Sequence, residues 1–180
     1  MYVLSIFFKV TLGSFGPSSR ALLYSFKNPF RISPEDPQPV CHEIKHRIYF
    51  SETDALGIVW HGNYAVFFER AITELARRIG LTMDALKNAN LATPLAQLHI
   101  DYRIPLYLDE EVTTKARLYW SEGPVLQYEA SIINSKGELA CTGHVIQMFV
   151  DLTTREPLFL SPEVWEECRK NWKAGKFANG

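Results

Sequence analysis

The chain has 180 residues and a mass of 20.6 kDa, enough for one core of ordinary size with a short appendage and too little for two full domains. Hydrophobic residues make up 47% and charged residues 22%, so there is apolar material for a packed core and charge for a solvated surface. The formal net charge of −1 removes the electrostatic case for a nucleic-acid binder, and Cys41, Cys141 and Cys168 are too few and too irregularly spaced for a disulfide framework or a paired zinc motif.

At the N-terminus, residues 1–34 carry Lys9, Arg20, Lys27 and Arg31 with no acidic residue, together with Ser5, Ser14, Ser18, Ser19, Ser25 and Ser33. That composition resembles an organelle transit peptide. The apolar stretch at 3–8 stops at Lys9, too short for a secretory h-region or for a bilayer span. Residues 1–40 therefore read either as a targeting segment, with a plastid or mitochondrial destination, or as a disordered extension of a cytoplasmic protein. The odd cysteine count favours a reducing compartment and free thiols. The Pro-rich stretch at 33–39 marks the boundary before a folded domain over 41–180. Cys41, His42 and His46 are close in sequence, but a metal takes four ligands in defined geometry and no further cluster accompanies them.

Residues 44–50 have strand-forming ends and are expected to form a first strand. Between 63 and 80, Tyr64, Phe67, Phe68, Ala71, Ile72, Leu75, Ala76 and Ile79 recur at three- and four-residue spacing, which predicts a helix with one broad apolar face. Gly62 or Asn63 is placed to cap it, and Arg77 and Arg78 suit its negative end before Gly80 stops it. A short helical turn follows at 83–87. Four β-like segments are then expected at 91–104, 111–121, 125–134 and 138–150, the last three joined as an antiparallel meander through turns at 121–124 and 134–137. A final helix is predicted over 162–172, with Ser161 as N-cap and Pro162 at the first helical position. Strand, long helix, then strands describes an α+β domain with a helix packed across an antiparallel sheet.

The most informative segment is 47–64, which joins the first strand to the long helix and contains Thr53-Asp54-Ala55-Leu56-Gly57-Ile58-Val59 and His61-Gly62-Asn63-Tyr64. Asp54 lies in a loop ahead of a helix N-terminus, where unpaired N–H groups favour negative charge. Acyl transfer needs a nucleophile or base beside the carbonyl carbon and donors aimed at its oxygen, and such a junction offers both. By residue types alone the same segment also reads as an ordinary turn.

This run closely resembles the active-site motif of the 4-hydroxybenzoyl-CoA thioesterase family, including its Tol-Pal-associated acyl-CoA thioesterases: an Arg-Ile strand, then Thr-Asp-x-x-Gly-Ile-Val, then Asn-Tyr on the central helix. The similarity of layout covers about residues 43–155. It implies a hot-dog fold, an antiparallel sheet wrapped around one long central helix, with sites formed between subunits of a homodimer or homotetramer. It further implies an acyl-CoA substrate and no metal or redox cofactor; the net charge and the short apolar stretch at 3–8 already argue for no nucleic acid and no membrane span. Asp54 matches the catalytic carboxylate, which either attacks the thioester carbonyl or deprotonates a water. His61 matches the position whose backbone N–H meets the thioester oxygen, with its imidazole as a second participant or a packing group. Gly57, Asn63 and Tyr64 match substrate-binding or loop-holding positions, and each also has a structural reading: positive φ, cap and core.

Glu69 and Arg70 are expected in ion-paired structural roles, and His99 and His144 as packing or surface residues. Arg103, Lys115, Arg117 and Lys136 are candidates for coenzyme A phosphates. A non-catalytic acyl-thioester-binding domain is the alternative, since fold alone does not fix function. A hot-dog dehydratase fits the aspartate-led loop poorly.

Overall fold

The computed structural model describes Phe30 and residues 33–177. The expectation of a targeting or disordered extension falls mainly on residues outside that range. Strand β1 (Val40–Arg47) is followed by a 3-10 turn at Phe50–Glu52 and the long helix α1 (Asn63–Arg78). The short helix α2 (Met83–Asn88) and strands β2 (Leu91–Ala92), β3 (Leu95–Tyr102), β4 (Glu111–Tyr119), β5 (Val125–Ile133), β6 (Leu139–Met148) and β7 (Val150–Asp151) follow, and α3 (Glu163–Lys173) ends the chain of elements. Among the described residues no helix is long and apolar enough to cross a membrane.

Five strands form one antiparallel sheet in the order β1-β4-β5-β6-β3, and β2 pairs separately with β7. The apolar stripe of α1 lies across one face of the large sheet, burying Tyr64, Phe67, Phe68, Ala71, Ile72 and Leu75. Facing it are Leu126, Tyr128, Ala130 and Ile132 of β5 and Cys141 and Val145 of β6, all buried. Gly143 of β6 makes room for the helix, because a Cβ there would sit 2.4 Å from Phe68. A long helix embraced by an antiparallel sheet is the hot-dog arrangement.

The opposite face of the sheet is polar. Strict pairing sets Cys41, Arg117, Glu129, His144 and His99 in one row across all five strands. Arg117 bonds Glu129 at 2.5 Å, and Lys115 pairs with Glu43 at 3.4 Å. Phe30, only 7% exposed, packs on this face with ring centroids 5.5 Å from Tyr119 and 5.6 Å from His144. The helix α3 buries Trp165 and Trp172 beside Trp120 and Phe149, and Arg169 donates to the carbonyls of Ser121 and Glu122.

Four expectations need correction. The first strand runs earlier than 44–50, because Tyr49 and Phe50 turn out of the sheet where the Glu52 carboxylate accepts the Tyr49 N–H at 2.9 Å. The segment at 91–104 is two strands, interrupted at Thr93 and Pro94, where proline has no N–H for a ladder and restricts the residue before it. Likewise 138–150 divides at Phe149, whose N–H turns to the Pro124 carbonyl at 3.1 Å. Pro162, with extended angles, is itself the N-cap of α3, while the Ser161 hydroxyl donates to the Glu122 carbonyl at 3.2 Å instead of capping the helix.

Candidate active site

Residues 48–62 leave the sheet as a folded excursion and return as the start of α1. At its base, the Ile48 N–H donates to the Glu110 carbonyl and the Asp109 N–H to that of Ile48. Thr53 and Val59 then bridge antiparallel, and Ile58 bridges Tyr107. Asp54 thus occupies the tip of a tight loop, closed by Asp54 N–H to Ile58 carbonyl at 2.8 Å and Gly57 N–H to Asp54 carbonyl at 3.0 Å. Gly57 has φ +74°, a left-handed angle that a side chain disfavours, although the space around it is open.

The Asp54 carboxylate is half-buried. Its Oδ1 accepts the Leu56 N–H at 2.8 Å, an Asx turn that fixes the side chain from within its own loop. The other oxygen has no hydrogen-bond partner among the described residues, leaving it able to meet a carbonyl carbon or a water.

Glu52 pins this loop to the helix. Its side chain is buried and receives Arg70 at 3.1 Å, while its carbonyl accepts both the Trp60 N–H at 3.0 Å and the Asn63 amide at 2.8 Å. Arg70 is therefore paired with Glu52, and Glu69, next to it in sequence but about 100° around the helix, is exposed. Helix α1 begins at the N-cap Gly62 with no side-chain cap. Among the described residues neither the His61 N–H nor the Gly62 N–H has an acceptor, so two donors are unspent where the helix presents its positive end. The His61 ring is exposed, with its centroid 5.0 Å from that of Trp60.

Tyr64 is buried against Phe67 and, edge on, Tyr102. Burial pushes its phenol well above the ordinary tyrosine range, so near neutrality it acts as a neutral group. Exposed apolar side chains adjoin the excursion: Tyr49, Phe50, Leu56 and Trp60 within it, and Tyr107 and Leu108 on the loop that bridges it.

Other sequence candidates lie elsewhere. Lys115 and Arg117 are on the outer face of the sheet and engaged by carboxylates, and Lys136 lies in the turn after β5, so these cations do not converge. Strand alternation sends Cys41 outward, while His42 meets Arg78 of α1 at 3.3 Å and His46 meets Phe67. Among the described residues no group of three or more metal-ligating side chains forms. Glu52 and Tyr102 were missed as site residues. A Glu two places before Asp54 was a visible signal; Tyr102 lies 41 residues from its partner His61 and gave none.

The profile of the thioesterase-like superfamily matches residues 48–168. The acyl-CoA thioester hydrolase YbgC of Escherichia coli O157:H7 is 27% identical over 124 residues, covering 69% of this chain and 92% of that protein. The acyl-CoA thioesterase YbgC of Haemophilus influenzae is 31% identical over 119 residues, covering 66% and 87%. The crystal structure of a DHNA-CoA thioesterase from Staphylococcus aureus superposes with a TM-score of 0.67 at 26% identity, covering 76% of this chain and 93% of that one. With a helix-spanning sheet, a matching profile over most of its folded length and relatives of the same layout, this chain belongs to the thioesterase-like superfamily.

Proposed function

We propose that this protein hydrolyses acyl-CoA thioesters to a carboxylic acid and coenzyme A, with Asp54 as the reactive carboxylate. The observation that carries the reading is one junction: a carboxylate oxygen without a partner at a loop tip, and two N–H groups without acceptors at the helix start that follows, all among the described residues. In one route Asp54 attacks the carbonyl carbon, the C–S bond breaks, coenzyme A leaves as thiolate and water hydrolyses the mixed anhydride. In the other, Asp54 takes a proton from water as the water attacks, and the tetrahedral intermediate expels the thiolate. Either way negative charge gathers on the thioester oxygen, where the His61 N–H, joined by that of Gly62, stabilises it. Water is the only co-reactant the balance requires.

Asn63 holds the loop through the Glu52 carbonyl, Gly57 supplies its turn, and the exposed apolar residues around the excursion serve the acyl chain. Tyr64 acts from beneath, as a support for the helix start. The site is completed by a second copy: among the described residues the outer edge of β3 is unpaired, and Leu95, Leu98 and Tyr102 along it are 56%, 39% and 51% exposed.

Thiol release from short, long and aromatic acyl-CoAs tests the reading, with wild type beside Asp54→Asn, which keeps the shape and removes the charge. Turnover by wild type and a fall in kcat of at least about 100-fold in the variant are expected. Undiminished turnover in Asp54→Asn would end the assignment of this carboxylate. Saturable acyl-CoA binding without thiol release in the wild type would instead make this a binding domain.

A further inference from the structure

We infer that Tyr102, on the edge strand β3, is a positioning residue of this site, whose hydroxyl fixes the peptide between His61 and Gly62 and so aims the Gly62 N–H at the start of α1. This rests on the proposed thioesterase reading and adds a residue to it from a distant strand.

The need for such an anchor follows from the helix start itself. Gly62 caps α1 in a helical conformation with no side-chain cap, and a glycine leaves the peptides on either side of it freer to rotate than any other residue does. The two preceding peptides are held: Trp60 donates its N–H to the Glu52 carbonyl, and its own carbonyl accepts the Asn63 N–H at 2.9 Å. The His61–Gly62 peptide has no backbone partner on either side among the described residues. Its carbonyl instead accepts the Tyr102 hydroxyl at 3.0 Å. A carbonyl drawn one way turns the Gly62 N–H of the same planar peptide the other way, and it also sets the backbone angles of His61.

The anchor is held from two sides. The Tyr102 ring stands edge-on to the buried Tyr64 ring with centroids 5.0 Å apart, and β3 is paired to β6 along its inner edge with Tyr102 opposite Cys141. Partial removal from water, with Cys141 beside it, raises the Tyr102 phenol above its ordinary pKa, so the hydroxyl keeps the proton it donates through the neutral range. A donor placed about an ångström off loses much of its effect on an oxyanion, so fixing this peptide matters to turnover more than to binding.

Tyr102→Phe tests this, since it keeps the ring on Tyr64 and deletes only the hydroxyl. Steady-state thiol release on the best acyl-CoA of the panel, run beside wild type and Asp54→Asn, is expected to show kcat lower by about 10-fold with KM unchanged, an unaltered pH inflection and the thermal midpoint of wild type. A kcat within about 2-fold of wild type would overturn the inference and leave the Asp54 reading standing, provided Asp54→Asn is inactive. A lowered thermal midpoint with normal kcat would make Tyr102 a purely structural residue. A displaced pH inflection would make it an acid–base group instead and would equally overturn the positioning role. Full activity of Asp54→Asn would remove the basis of both readings.

Discussion

Both ring nitrogens of His46 are shut from solvent without a hydrogen-bond partner among the described residues, and the ring lies 4.4 Å from that of Phe67. Removal from water holds its pKa below the ordinary histidine value; nearby Glu52 pulls upward and Arg70 downward. As pH falls below about 6.5 the unfolded chain takes up a proton before the folded one does, so stability drops from there down through the lowered folded value. The variant His46→Leu lacks that penalty. Urea denaturation at about pH 8 and about pH 5 should therefore show wild type losing more stability on acidification than the variant. His144, also held low by burial, acts in the same direction in both proteins. The turn at Gly57, a cap at Gly62 or Asn63 and the loop position of Asp54 could be read from sequence because each depends on near neighbours; the structure puts the cap at Gly62. The burial of Glu52 under Arg70 and the reach of Tyr102 to His61 depend on which strands adjoin, and no local pattern carries that.

For elements, the decisive contact is α1 on the sheet, and its tightest point is Gly143. A Cβ there would approach Phe68 to 2.4 Å and the backbone carbonyl of His99 to 2.9 Å, so neither the core ring nor the neighbouring strand can yield cheaply. Gly143→Ala should cost about 1–3 kcal/mol, read as a lower urea midpoint with little change in slope. The helix was legible because eight apolar residues at helical spacing have one simple solution. Strand limits were not, since Pro94 and Phe149 interrupt long β-like runs whose alternation continues past the break. At α3, Ser161-Pro162 carried a start signal in the right place, but the serine hydroxyl went to Glu122, a residue of the turn between β4 and β5.

At the scale of the molecule, the order β1-β4-β5-β6-β3 leaves β1 and β3 as edges among the described residues, and of these two β3 is the one that carries exposed Leu95, Leu98 and Tyr102. Edges of that kind recruit another strand. On the proposed pairing, sedimentation should find the wild type as a dimer or a multiple of it, and Leu98→Lys should shift it toward monomer while far-UV circular dichroism stays the same. The hot-dog architecture was legible through the loop motif together with element order, whereas the strand that would face a second copy was not, because one chain's composition does not reveal which edge stays open. The open edge is also the strand that carries Tyr102 to the helix start. Catalytic output should then depend on abundance: on dilution, turnover per chain holds while pairs persist and declines once they part, so that doubling the protein at low concentration more than doubles the rate.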